Sequence, residues 1–199
     1  MNTPSHAIIN LAILGRRKRP DWNWPIVIGS LIPDLAMFVF YGWAKLVAGL
    51  PERQIWDVAY YAPFWQNVFD VWNSIPLSLV GIGLGVWLSR QRKWRHWQWL
   101  GTVIAICCAS VLLHCLVDLP VHREDAHRHF WPLSNARFES PISYWAPEHY
   151  GTIFSLFELA LVLILSLYVF RLIRSRWGKG LLVVSNALML AAWSLFYLR

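Results

Sequence analysis

Apolar runs close to the length of a bilayer crossing dominate this chain. They extend from Pro25 to Leu50, Ser74 to Leu88, Trp97 to Leu119, Thr152 to Leu172 and Gly180 to Leu198, and about 20 apolar residues in a helix are needed to cross a membrane. A bilayer offers no water to the backbone, so such segments are forced towards helix. The Ser74 to Leu88 run is short and is expected to begin earlier in the chain. A further segment, His6 to Leu14, is too short to span and is expected to pack against the first full span, since a helix that only dips into a membrane needs protein around it. The expected fold is all-α: a polytopic membrane helical bundle of about five transmembrane helices plus a short N-terminal helix, built as a single domain over residues 1–199. With 57% of residues hydrophobic and 15% charged, the composition lies outside the range of ordinary soluble domains.

The charges are distributed as the membrane reading requires. Twelve of the eighteen Lys and Arg residues fall in three short segments: Arg16, Arg17, Lys18 and Arg19; Arg90, Arg92, Lys93 and Arg95; and Arg171, Arg174, Arg176 and Lys179. The positive-inside rule assigns all three to the cytoplasm, and five spans connect them without contradiction. The segments from Leu50 to Asn73 and from Pro120 to Tyr150 then face outward, which sets the expected location: multi-pass, in a bacterial inner (plasma) membrane. Basic residues interleaved with Trp94, Trp97 and Trp99 also occur in nucleic-acid-binding proteins. Beside a span they read better as an interfacial belt, so lipid and not nucleic acid is the expected partner. The start of the chain lacks the charge order and cleavage site of a signal peptide. Cys107, Cys108 and Cys115 share one apolar run and read as small packing residues.

The chemistry concentrates between His114 and His149, a stretch that holds five of the seven histidines together with Asp118, Glu124, Asp125, Glu139 and Glu148. Such a density of nitrogen and oxygen ligands points to a divalent metal. His114, Asp118 and His122 recur at helical spacing, but Pro120 is expected to kink the helix, leaving the shared face to His114 and Asp118. His129 lies two residues from His127, so at most one of the pair is expected to be a ligand. Two more acids, Asp34 and Glu158, stand within apolar runs, where a carboxylate must be paired, protonated or bound to a cation. Counted along the helix, Asp34 rises about 14 Å from Pro25 and His114 about 25 Å from Trp97, so a cavity or a bend at Pro33 is expected to close the difference. Asp70 and Asn73, just before the second span, read equally well as metal supports or as helix caps.

Taken together, His6, the GSLIPD segment with Gly29, Pro33 and Asp34, and the HCLVD segment with His114 and Asp118, followed by His122, resemble the predicted membrane-bound metal-dependent hydrolases. More distantly they are similar to the zinc-dependent phospholipase C superfamily. The resemblance covers scattered ligands over about three quarters of the chain, and their order carries it. It implies a site of one to three zinc ions, or another divalent metal, with ligands drawn from His6, Asp34, His114, Asp118, His122, His127, His149 and Glu158. It differs at Asn73 and Ser74, where the membrane hydrolases carry a histidine often followed by serine. That leaves open fewer metals, Asp70 in the missing place, or a non-catalytic descendant.

The expected activity is hydrolysis of an ester, foremost a phosphoester of a lipid or headgroup, at the non-cytoplasmic side. Metal-activated water would attack, Asp34 and Asp118 would hold the ions, and a loop histidine, His127 first, would give a proton to the leaving group. The alternative is a non-catalytic metal-binding or ion-conducting membrane protein using the same acids and histidines.

Overall fold

In the computed structural model, which describes residues 1–91 and 95–197, every apolar run of the sequence is helical and no strand forms among the described residues. The helices are α1 (Thr3–Leu14), α2 (Asn23–Gly42), α3 (Glu52–Gln54), α4 (Pro63–Trp72), α5 (Ile75–Ser89), α6 (Arg95–Asp118), α7 (Gly151–Leu172) and α8 (Arg176–Tyr197). Arg92, Lys93, Trp94 and Leu198 lie outside the described residues. Four segments are long and apolar enough to cross a membrane, Pro20–Val47, Arg95–Val121, Gly151–Leu172 and Arg176–Phe196. A fifth is available if α4 and α5, bent by 40° at Asn73 and Ser74, count as one. The earlier start expected for the second span is therefore a separate helix, because Ser74 caps α5 by accepting from the Leu77 amide at 3.1 Å and Pro76 follows in its first turn.

α6 is the centre of the bundle, packed on α5, α2 and α1. α5 approaches it through small residues: a side chain added at Gly85 would run into the α6 backbone at Gly101 and Ala105. Gly29 does the same for α2, with the Cys107 carbonyl and Ser110 directly against it. α2 is one continuous helix through Pro33, and it does not start level with α6. The two helices are staggered. Ser110 donates to the Ile26 carbonyl and His114 Nδ1 to the Ser30 carbonyl, both with an offset of 84 residues, and Asp34 stands at that same offset from Asp118. Depth counted from each helix's own start misjudged this, because α6 begins several turns below the level at which α2 begins.

α1 runs antiparallel to both. Asn10 meets Ser110, His6 meets His114, and the Met1 nitrogen meets Asp118. Gly15, at the far end of α1, sits against Leu172 at the end of α7. The three basic segments therefore emerge at one end of the bundle and the histidine-rich loop at the other. Between α1, α2, α7 and α8 an apolar cluster of Ile8, Leu11, Ile26, Val162, Val169 and Leu182 fills the interior on the basic side.

The segment from Pro51 to Asn73, expected to face outward, partly folds back onto the bundle. Phe40 at the end of α2 is fully buried and ringed edge-on by Trp56, Tyr60, Trp65 and Phe69 at centroid distances of 5.1 to 6.3 Å. Each such pair contributes about 0.5–1.5 kcal/mol beyond its buried area. The ring cluster fastens this segment over the loop end of the bundle.

Candidate metal centre

Three helices deliver the site in layers. At the lowest layer Asn10 donates its amide to both the carbonyl and the hydroxyl of Ser110, each at 2.8 Å. One turn higher His6 and His114 stack with ring centroids 3.6 Å apart. One turn higher again come Asp34 and Asp118. His6, His114 and Asp118 are fully or almost fully buried, and a ligand atom from each lies within 4.8 Å of the others.

The Ser30 carbonyl fixes one hydrogen of His114. A carbonyl only accepts, so the contact from Nδ1 to the Ser30 oxygen at 2.8 Å places a hydrogen on Nδ1, and Nε2 is a lone pair whenever the ring is neutral. Nε2 points into a group of oxygens: it lies 3.0 Å from Asp118 Oδ2 and 3.7 Å from Asp34 Oδ1. His6 Nε2 lies 3.1 Å from Asp118 Oδ1. Neither His6 nitrogen, nor His114 Nε2, nor Asp34 Oδ2 finds a hydrogen-bond partner among the described residues. The Met1 ammonium lies 2.8 Å from Asp118 Oδ1 but leaves these four atoms without a partner, and buried acceptors turned on one another are costly without a cation between them. The donor set, two imidazoles and one or two carboxylates, is one that suits zinc, with a backbone carbonyl fixing the tautomer of one ligand as is usual for metal-bound histidine.

Pro120 does not remove His122 from this group. After Asp118 the chain tightens into a 3-10 turn over Leu119–Val121, which carries His122 Nε2 to 3.4 Å from Asp118 Oδ1. Its Nδ1 meets Asp125 Oδ2 at 2.9 Å. Burial lowers the His122 pKa, but Asp118 and Asp125 outweigh it and hold the ring up at about 9. Burial and the charge of His122 push His127 down to about 3, and burial takes His129 down to about 4. Both shifts disfavour a charge on these two rings. A cavity of about 180 Å³ opens above the centre, and Asp34, Asp118, His122, Asp125 and His127 all line it with Tyr60 and Tyr144.

Of the remaining sequence candidates Asn73 also lines this cavity, and the others lie around it. Glu158 on α7 is buried; its Oε1 accepts from the Asn2 amide at 2.8 Å, fastening the start of α1, while Oε2 has no hydrogen-bond partner among the described residues. His149, in the turn before α7, faces Glu124 at 3.6 Å. Asp70 is completely buried and accepts from the backbone and side chain of Arg128, so it anchors the loop and does not replace the histidine absent at Asn73. Asn73 itself donates to the Phe69 carbonyl at 3.0 Å. His129 is buried beside His127, with ring centroids 5.9 Å apart. Sequence reasoning did not identify Asn10, Ser30 or Tyr144 as parts of the site, and it placed Asp125 only in the ligand-rich stretch. Asn10 carried a signal, an amide four residues after His6 in an apolar helix, whereas the Ser30 contribution is a main-chain carbonyl and has no residue signature.

No protein-family model, curated protein or solved structure matches this chain.

Proposed function

We propose that this protein is a metal-dependent membrane hydrolase acting on an ester, foremost a phosphoester of a lipid or headgroup, at the non-cytoplasmic face of a bacterial inner membrane. The observation that carries the reading is the convergence of buried ligand atoms from His6, His114 and Asp118 within 4.8 Å of one another, with Asp34 beside them. His6, His114 and Asp118 would hold a divalent ion, zinc by preference, and Asp34 lies beside them. A bound ion of this kind acts as a Lewis acid and lowers the pKa of water.

The chain's own residues supply the rest. Asp34, with Oδ2 unpartnered and its carboxylate on the cavity wall, takes a proton from the attacking water. His122 and Asp125 form a hydrogen-bonded pair on the opposite wall that orients the substrate, and His127 accepts from it. Tyr60 and Tyr144 narrow the cavity and limit water. The resemblance to the membrane-bound metal-dependent hydrolases supports the same reading.

The ion-conducting alternative needs polar groups that continue towards the basic end. There the cluster around Ile26 and Val162 intervenes, and Ser166 and Asn186 bond to each other at 2.9 Å. Purified protein should contain zinc by elemental analysis and hydrolyse members of a phosphodiester and carboxylester panel. His114→Ala should lose both properties. Metal binding without turnover of any ester in the panel would reject the hydrolase in favour of a metal-binding protein.

A further inference from the structure

A second cavity of about 670 Å³ lies between α7 and α8 at the loop end, and Asn2 and Tyr144 line both it and the polar cavity over the metal centre. Its floor is Leu159 on α7 and its wall is Leu188, Ala192 and Phe196 on α8. Its volume falls in the range of ligand pockets. α8 is the least enclosed of the four long apolar helices, with 6% of its apolar window buried against 22% or more in the others, so the groove is open to whatever surrounds the bundle. A polar chamber with carboxylates and imidazoles thus meets an apolar trough across a two-residue rim. One molecule with a charged end and a hydrocarbon tail fits both.

We propose that the groove between α7 and α8 holds the acyl chain of a lipid whose polar headgroup reaches over Tyr144 into the metal centre, so that the substrate enters sideways from the surrounding leaflet. This rests on the hydrolase reading for its chemistry, but the seat of the chain is a matter of binding alone. Leu188 is 65% exposed and Phe196 84%, so the groove wall can be altered at Ala192 or Leu188 with little effect on the interior.

The test is covalent capture. Protein in phosphatidylcholine nanodiscs is irradiated with a lysophosphatidylglycerol bearing a diazirine at the end of its acyl chain, and adducts are mapped by mass spectrometry. Adducts should be enriched several-fold on the segments around Leu159 and Ala192 over the exposed faces at Phe38, Val39, Leu79 and Val80, and Ala192→Trp and Leu188→Trp should each reduce that enrichment several-fold. Even labelling of all apolar faces, or enrichment unchanged in both variants, would overturn the proposal. So would efficient disulfide dimers of Leu188→Cys with no enrichment, which would assign the groove to a second copy of the chain. Capture requires neither metal nor turnover, so its failure is distinguishable from failure of the hydrolase.

Discussion

His6 and His114 stack with 16° between their ring planes, and both turn Nε2 towards the single carboxylate of Asp118. Two imidazolium ions in that arrangement repel each other, whereas two neutral rings present lone pairs that one divalent ion satisfies together. Most of what can be tested about this protein follows from that pair and from the helices that hold it.

Removal of any member of the triad should strip the metal. We expect His6→Ala, His114→Ala and Asp118→Ala to lose most of the bound zinc, because each deletes one of a small ligand set. His149→Ala, whose ring faces Glu124, and His96→Ala, in the segment at the opposite end, should retain it. Elemental analysis of the five purified variants checks this; equal zinc in all five would dispose of the site.

Asn10 should matter for stability more than for metal. Its two bonds to Ser110 are buried, and Asn10→Ala should cost about 1 kcal/mol. That lies between the roughly 0.6 kcal/mol averaged for hydrogen bonds between membrane helices and the roughly 1–3 kcal/mol for stranding a buried polar group. A lower Tm in detergent with near-normal zinc is the expected result; a Tm equal to that of the parent would show that the contact contributes nothing.

Asp70 distinguishes an anchor from a ligand. Asp70→Ala leaves Arg128 partly buried without its counter-charge, a change worth about 3–5 kcal/mol in buried pairs, and should release the loop. Limited trypsin digestion should cut at Arg128 faster while zinc content holds. Loss of zinc with no change in cleavage would place Asp70 on the metal.

The bundle puts the basic segments at one end and the histidine-rich loop at the other, and the positive-inside rule orients it. A cysteine introduced at Ser134, which is exposed, should react with an impermeant maleimide in intact cells, and one at Gln91 only after lysis. Labelling of Gln91→Cys from outside would invert the arrangement.

The helices and the metal-ligand types were readable because both are local: apolar run length dictates helix, and a carboxylate such as Asp34 within such a run requires a cation. What could not be read was relative placement. Asp34 was linked to His114 by the need for charge, yet helix depth argued against it, since stagger between helices is set by where small residues such as Gly29 permit contact and not by where each helix begins. His122 was set apart from the helical face of His114 and Asp118 because Pro120 was expected to break the helix, and the 3-10 turn that keeps it near Asp118 is a tertiary outcome. Glu158 met the test for a buried acid but satisfies a backbone amide, a partner that carries no residue identity.

The common offset between α2 and α6 also bears on how this chain can change length over time. A single residue gained or lost between Ile26 and Asp34 would turn Asp34 by about 100° around its helix and detach it from His114, while the Ile26 contact below stayed in place. Four residues gained, slightly more than a full turn, would roughly restore the direction but lift the carboxylate by about 6 Å. Neither change is absorbed locally. Insertions between Gly42 and Glu52, or between Ser89 and Arg95, leave the shared frame untouched, so the spacing from Ile26 to Asp34 and from Ser110 to Asp118 is where this architecture tolerates no indels.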